Sequence, residues 1–391
     1  MSLEKFKELA IVIPTRNRSD IVGLAIKSAL ALAQIVPIRV FVSDNSTDAD
    51  ESSHIKALLV SIADNRLSLL RPPEPLSMTL HWDWAMGEVL RRTDASHVVY
   101  LTDRMVLRPG LFLEAMTASK TFPGNIVSYA DDRLNDERLP IVYRPAVRSG
   151  KVYRIQSQSL LELSSQMVFY TCLPRMLNCI TPRVHLERLA VRYGNYFDSV
   201  SPDFCFCYRS LESTESIIYL DKSVMLSHGY ARSNGHSFIR GASTDASKDF
   251  LRNLGPNVLN ADAPLPNVLT VGNGIASEYL RVRRETGSLA MMPLSMSAYL
   301  AYLAGEIDHF TDSDHAEAIR RQLIDAGWKE GSWSGLYPIK TAIKEWLHSL
   351  IAQHYDDADV AMSHASMDVG RHLPWIHRIT RKYRSEEVDI N

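Results

Sequence analysis

The chain has 391 residues, 46% of them apolar and 23% charged, with a formal net charge of -2 at pH 7. That length predicts two domains, or one large domain with an appendage, and the apolar fraction supplies a sizeable core. The balanced charge excludes a protein that grips nucleic acid through bulk charge. The four cysteines (Cys172, Cys179, Cys205 and Cys207) form no CxxC pair, so metal-ligand spacing is absent. They read as reduced thiols of a cytoplasmic protein. Met1–Leu9 is charged and poor in apolar residues, so it is not read as a signal peptide. No apolar run approaches the ~18 residues of a membrane span.

Ile11–Ile13 predicts a buried strand that stops at Pro14. Ser19 or Asp20 is placed to cap a helix from Ile21 to Ala33, with Ile21, Leu24, Ala25, Ser28, Ala29 and Leu32 at helical spacing. Ile38–Val42 is the second strand, and Asp50 or Ser52 starts a helix to Ile62. Leu67–Leu70 is a third short strand. Pro72-Pro73-Glu74-Pro75 makes a stiff turn before a helix over His81–Leu90. His97–Leu101 is a fourth strand, and Leu107-Arg108-Pro109-Gly110 launches the next helix. Strand and helix alternate to this point, the mark of a mostly parallel sheet.

Ile126–Tyr129 and Ile141–Tyr143 read as further strands, separated by an acidic turn at Asp131-Asp132. Leu160–Leu177 is mixed. Thr181–Arg192 and Asp203–Leu211 read as helices, with short strands at Ile217–Tyr219 and Val224–Leu226. Beyond Asp245 the pattern is helical, over Glu278–Thr286, Ser295–Glu306, Asp314–Ala326 and Tyr337–Tyr355. The expected division is an α/β domain over 1–244 and a helical C-terminal region over 245–391.

Two polar turns carry the chemistry. The first strand breaks into Pro14-Thr15-Arg16-Asn17-Arg18, and the second into Ser43-Asp44-Asn45-Ser46-Thr47-Asp48. Ligands of open α/β sheets bind at such carboxyl ends. A carboxylate there can accept the single N–H that a uracil ring offers between two carbonyls, and Asp44 is placed for it. Arg18 on the neighbouring turn suits base or phosphate. The plain alternative is that Asp44 only bends its own turn, as Asx residues do.

With both turns at this spacing, the chain over roughly residues 8–240 resembles a family-2 glycosyltransferase of the GT-A fold. The resemblance implies an α/β fold with a doubly wound mixed sheet, here followed by a helical C-terminal extension. It also implies a nucleotide-binding set drawn from Pro14, Thr15, Arg18, Asp44, Asp103 and Arg104. In that family the fourth strand ends in an Asp-x-Asp motif whose acids meet the ribose and a divalent cation. Asp103 matches the first acid, but Arg104 sits in the middle and Met105 stands where the second acid belongs. A thioether is a poor ligand for Mg²⁺ or Mn²⁺. Two readings stay open. Asp103 holds a cation with help from elsewhere, His228 being the candidate and His236 its rival, or Arg104 takes the cation's part. Arg232 and Arg240, in the Ser227–Arg240 loop, would be further phosphate contacts.

In inverting members of the family, an acid at the start of a helix is the catalytic base. Ser201-Pro202-Asp203 matches that position, with Asp198 as the competing base; the plain reading of Asp203 is a favourable charge at a helix N-terminus. Asp83 or His81 is a candidate for sugar or ribose contact. Trp82 and Trp84 cannot both face one core, so one of them is free to line the cleft. Asp131-Asp132-Arg133 reads as a solvated turn or a hydroxyl-binding site.

Past Pro374, Trp375, Ile376, Ile379 and Tyr383 share a helical face, with Arg378, Arg381 and Lys382 largely opposite. The stripe either packs on the protein or lies on an anionic membrane. The expected activity is transfer of a sugar from a nucleotide diphosphate donor, a UDP-sugar first, to a hydroxyl of a glycan or lipid-linked acceptor, in the cytoplasm or at the inner membrane face. A sugar nucleotidyltransferase would need a Gly-rich loop after the first strand, and that turn has no glycine. The alternative from another class is a non-catalytic nucleotide-sugar-binding or scaffold protein on the same fold.

Overall fold

A computed structural model describes residues 7–233, 235, 238, 245–254, 260–329, 352–368, 371–372 and 384–390. The first elements are β1 (Leu9–Thr15), α1 (Val22–Ala31), β2 (Ile38–Asp44), α2 (Ala49–Ile62), β3 (Leu67–Leu70), α3 (Met78–Arg92) and β4 (His97–Tyr100). β3, β2, β1 and β4 lie side by side in that order, all parallel. Every residue of β1 is buried, as a strand covered on both faces must be. Its pleat sends alternate residues to opposite layers. Ile11 and Ile13 join Val22, Ala25, Ile26 and Ala29 of α1 in one apolar cluster. Ala10 and Val12 join Trp82, Ala85, Met86 and Val89 of α3 in the other.

The chain continues through β5 (Met105–Leu107), α4 (Pro109–Thr121), β6 (Val127–Asn135), β7 (Ile141–Arg144), β8 (Val147–Arg148), β9 (Val152–Gln156), α5 (Ser157–Ser165), β10 (Cys179–Pro182), α6 (Arg183–Tyr193), α7 (Pro202–Ser213) and β11 (Ser216–Ser227). β10 runs antiparallel between β4 and β6 and so joins the parallel half to the rest. β11 lies between β6 and β9. The architecture is therefore a mixed α/β sheet with helices on its faces.

The later elements are α8 (Asp245–Arg252), α9 (Val271–Thr286), α10 (Met296–Ile307), α11 (Ser313–Asp325), β12 (Gln353–Tyr355), α12 (Ala358–Met367), β13 (Arg371–His372) and β14 (Ser385–Glu387). α9 buries Ile275, Tyr279 and Val282 in the same cluster as Phe204 and Tyr208 of α7. α10 and α11 form a smaller cluster around Tyr299, Leu303, Ile319 and Leu323. β12 pairs with β7 and β14 with β9, so residues after 245 return to the sheet as edge strands as well as forming helices. Among the described residues, no helix is long and apolar enough to cross a membrane.

Several local expectations change. Asp131 and Asp132 are not in a turn: β6 runs through both. Ile217–Tyr219 and Val224–Leu226 are parts of one strand, whose register shifts between Leu220 and Ser223. Thr181 and Pro182 end β10, and helix begins only at Arg183. Neither Ser19 nor Asp20 caps α1; its N-cap is Ile21, with no side-chain bond. Asp48, rather than Asp50 or Ser52, caps α2 by accepting from the Asp50 N–H at 2.8 Å. Gln353–Tyr355 is strand rather than helix. Residues 337–351, His236, Arg240 and the basic stripe after Pro374 lie outside the described residues.

The acid pair also hides a buried ion pair. Asp132 receives Arg108 Nη1 at 2.9 Å, the Tyr143 hydroxyl at 3.0 Å and the Ser223 hydroxyl at 2.6 Å. Arg108 Nη2 also donates to the Ala365 carbonyl of α12 at 2.7 Å, which ties that helix to the sheet. Both residues of the pair are almost wholly buried. Removing one partner of such a pair strands the other charge, at about 3–5 kcal/mol. Asp132→Ala is therefore expected to lower unfolding stability by that amount in urea titrations. A midpoint like that of the parent would contradict the pairing.

Candidate active site

The carboxyl ends of β1, β2 and β4 open on a cleft of about 770 Å³. Thr15, Arg18, Asp103, Arg104 and Asp203 all line it. β1 and β4 are neighbours, so the turns that follow them meet. Thr15 donates its hydroxyl to Asp103 Oδ2 at 3.0 Å, and Arg18 Nη1 donates to Asp103 Oδ1 at 3.1 Å. Asp103 is nearly fully buried, and this carboxylate joins the two turns.

The segment 228–233 closes over them. Gly229 has φ +64°, a region that favours glycine. A Cβ there would lie 3.3 Å from Arg104 Cδ, so the close approach also calls for glycine. Asp136 fixes the segment by accepting the N–H groups of Gly229 at 2.8 Å and Tyr230 at 2.9 Å. Arg104 donates to the His228 carbonyl at 2.8 Å and to Ser233 Oγ at 3.1 Å. Arg18 Nη2 donates to the Arg232 carbonyl at 2.5 Å, and Arg232 pairs with Asp20 at 2.7 Å. Asp20, the expected helix cap, is thus a loop anchor. Burial pulls the Arg104 guanidinium below its usual pKa, with Asp103 opposing and Arg18 adding to the shift; a guanidinium starts high enough to stay charged.

These residues do not fit a divalent cation. Both Asp103 oxygens already face Thr15 and Arg18, and a second cation beside Arg18 and Arg104 would meet like charge. Met105 begins β5 and packs in the apolar cluster behind the sheet, so it turns away from the cleft. His228 does not line the cleft. Its Nδ1 stands 4.0 Å from Asp136 Oδ2, and burial lowers its pKa. Among the described residues, no group of three His, Cys, Asp or Glu is arranged to hold a metal.

Asp44 is fully buried and outside the cleft wall. Its Oδ1 accepts the Ser46 N–H at 2.8 Å, and its Oδ2 accepts Ser52 Oγ and Arg71 Nη1, each at 2.5 Å. Burial raises its pKa, but the Ser46 and Ser52 bonds and the Arg71 charge outweigh that and leave it lowered. In this arrangement Asp44 shapes its own turn. Asn45, beside it, does line the cleft and brackets the backbone of Leu76 with bonds of 2.8 and 2.9 Å.

The α3 candidates divide. Asp83 faces away from the cleft and accepts the N–H groups of Tyr196 at 2.6 Å and Phe197 at 3.0 Å. His81 and Trp82 line the cleft. His81 Nε2 lies 2.7 Å from Ser43 Oγ. Trp82 packs against Tyr100 and Phe197, and Trp84 is partly buried against the same cluster.

Asp203 stands in the first turn of α7, behind Pro202, and lines the cleft. Burial raises its pKa, while Arg175 and the N–H groups of Phe204 and Asp203 itself pull it back. Asp198, its rival, is outside the cleft wall and is committed to Arg281, with Arg209 at 3.7 Å. The opposite wall is one the sequence did not foretell: Thr270, Val271, Gly274 and Ile275, from the start of α9, together with Asn260. The N-cap Thr270, which accepts the Asn273 N–H at 3.1 Å, was the legible signal for that helix start.

No family model matches the chain, and no curated protein matches it. Solved structures do. The crystal structure of S. aureus TarS is 13% identical with a TM-score of 0.43, over 79% of this chain and 50% of that one, so the chain spans half the length of that structure. TarS 1-349 in complex with UDP-GlcNAc is 14% identical with a TM-score of 0.44, over 80% of this chain and 84% of that one. TarS 1-349 in complex with UDP is 12% identical with a TM-score of 0.43, over 82% and 88%.

The imidazole in the cleft floor gives the site a pH signature. Burial pulls the His81 pKa from 6.5 to about 3. Between those values the unfolded chain binds the extra proton, so stability is present above pH 6.5 and is lost as pH falls toward 3. His81→Gln is expected to flatten the acid limb of a stability–pH profile by up to about 1.4 kcal/mol per pH unit. An unchanged slope would mean that His81 is charged in the folded protein.

Proposed function

We propose that this chain is a nucleotide-sugar glycosyltransferase of the GT-A type. In this reading it moves a sugar from a UDP-sugar to a hydroxyl of a glycan or lipid-linked acceptor, with inversion. The observation that supports it is the meeting, in one cleft, of two arginines beside a buried carboxylate and an acid at a helix N-terminus. The first set suits a diphosphate, and the second suits proton abstraction.

The step is a direct displacement. The acceptor oxygen forms a bond to the anomeric carbon while the bond from that carbon to the diphosphate oxygen breaks. The electron pair leaves with the nucleoside diphosphate, and the acceptor proton passes to Asp203. Burial raises the pKa of the Asp203 carboxyl, and a more basic carboxylate takes that proton more readily. The developing charge on the diphosphate falls to Arg18 and Arg104, which need only exchange carbonyl partners on the 228–233 segment for phosphate oxygens. No cation enters the step. Arg232 adds a third guanidinium at the same edge. Asp44 meets a uracil N–H only after one of its present partners gives way.

The non-catalytic reading draws on that closure of Asp44 and on the commitment of Asp103 to Arg18. Asp203→Asn separates the two. For the enzyme, release of UDP from the UDP-sugar that the parent turns over is expected to fall about 10²–10⁴-fold, with calorimetric affinity for UDP unchanged. The panel of UDP-sugars includes UDP-GlcNAc, the ligand of one TarS structure. Equal turnover in both proteins would remove Asp203 from the chemistry. Tight UDP binding with no turnover of any donor by the parent would favour the binding protein.

A further inference from the structure

One stripe of α9 grips the segment that leads into α7. Gly274, Glu278, Arg281 and Glu285 follow one another at steps of four, three and four residues, and so share a helix face. A Cβ on Gly274 would lie 3.2 Å from Ser201 Oγ. Glu278 Oε1 accepts the N–H groups of Val200 at 3.3 Å and Ser201 at 3.1 Å. Arg281 pairs with Asp198, and Glu285 receives Arg209 of α7 at 3.4 Å. Arg209 in turn holds the Asn195 side chain at 2.8 Å.

The gripped turn is a strained one. Ser199 has φ +65°, a conformation that a residue with a side chain keeps only when its surroundings impose it. Directly after it come the two N–H groups that Glu278 holds, then Pro202 and Asp203. Glu278 is almost wholly buried. Burial pushes its pKa up to about 7, against the opposing pull of the Ser199 side chain, the Ser201 N–H, Arg281 and the Val200 N–H. A buried carboxyl whose Oε1 takes two successive backbone N–H groups holds that backbone in place.

We propose that Glu278 is a positioning residue: through the N–H groups of Val200 and Ser201 it sets the turn that starts α7, and thereby places the carboxyl of Asp203 in the cleft. The region after residue 245 thus completes the site it borders. The inference rests on the reading of Asp203 as the base. It predicts that the reaction, and not donor binding, suffers when the grip is lost.

The test compares Glu278→Leu, which removes the acceptor, with Glu278→Gln, which keeps an acceptor oxygen at the same reach. Displacing a reacting group by ~1 Å can cost ~10²-fold. The expected result is a fall of about that size in kcat for UDP release in the Leu protein, an unchanged Kd for UDP, and recovery to within a few-fold in the Gln protein. Backbone hydrogen exchange at Val200 and Ser201 is expected to speed up in the Leu protein only. Parental kcat in the Leu protein, equal losses in Leu and Gln, or unchanged exchange would each overturn the proposal. Should the Leu protein fail to fold, Glu278→Asp, one methylene shorter, is expected to show the same loss of kcat and exchange protection. If the parent turns over no UDP-sugar, the functional reading fails on its own account. Exchange at the two N–H groups then decides the grip: faster in Leu but not in Gln supports it, and no difference overturns it.

Discussion

The carboxylate of Asp103 is the point on which the cleft depends. It sits where β4 ends beside β1, and it takes Thr15 and Arg18 from the neighbouring turn. That contact brings a guanidinium to the switch point of the sheet, where the parallel order places strand ends side by side. Arg104 follows in sequence and faces the 228–233 segment instead. Asp103 holds one of the two arginines, and the 228–233 segment holds the other. Anion binding by guanidinium forks is strong in a partly desolvated cleft, because both geometry and charge match phosphate.

The remainder of the site is built by residues far along the chain. Asp136 pins the covering segment, Asp83 pins the approach to α7, and the Glu278 stripe pins its last turn. Each of these carboxylates accepts two backbone N–H groups, which fixes loops that sheet pairing does not reach. Asp203 lines the same cleft from the first turn of α7.

Legibility followed the range of the interactions. β1, β2, β3 and β4 were readable because short apolar runs punctuated by Pro14, Pro37 and Pro72 leave little choice, and the Pro14–Arg18 and Ser43–Asp48 turns marked the strand ends. Asp203 was placed by Pro202 before it. Partners outside the local window left no trace: Asp132 looked like a turn acid although it pairs with Arg108, 24 residues earlier, and β12 and β14 reach the sheet only through pairing with β7 and β9. Asp44 matched a motif by position, yet its three bonds to Ser46, Ser52 and Arg71 depend on how α2 and β3 fold back. Met105 could be read as a non-ligand by chemistry alone; that it points into the core follows only from the pairing of β5 with β11.

The central claim is that guanidinium groups, and no divalent cation, carry a nucleoside diphosphate in this cleft. Calorimetric titration of UDP into the intact chain, once with EDTA and once with Mn²⁺, tests it most directly. The account predicts binding of equal affinity in both. Binding that appears only with Mn²⁺ would contradict it and return Asp103 to a metal-holding role. No binding in either would remove the nucleotide from the cleft altogether.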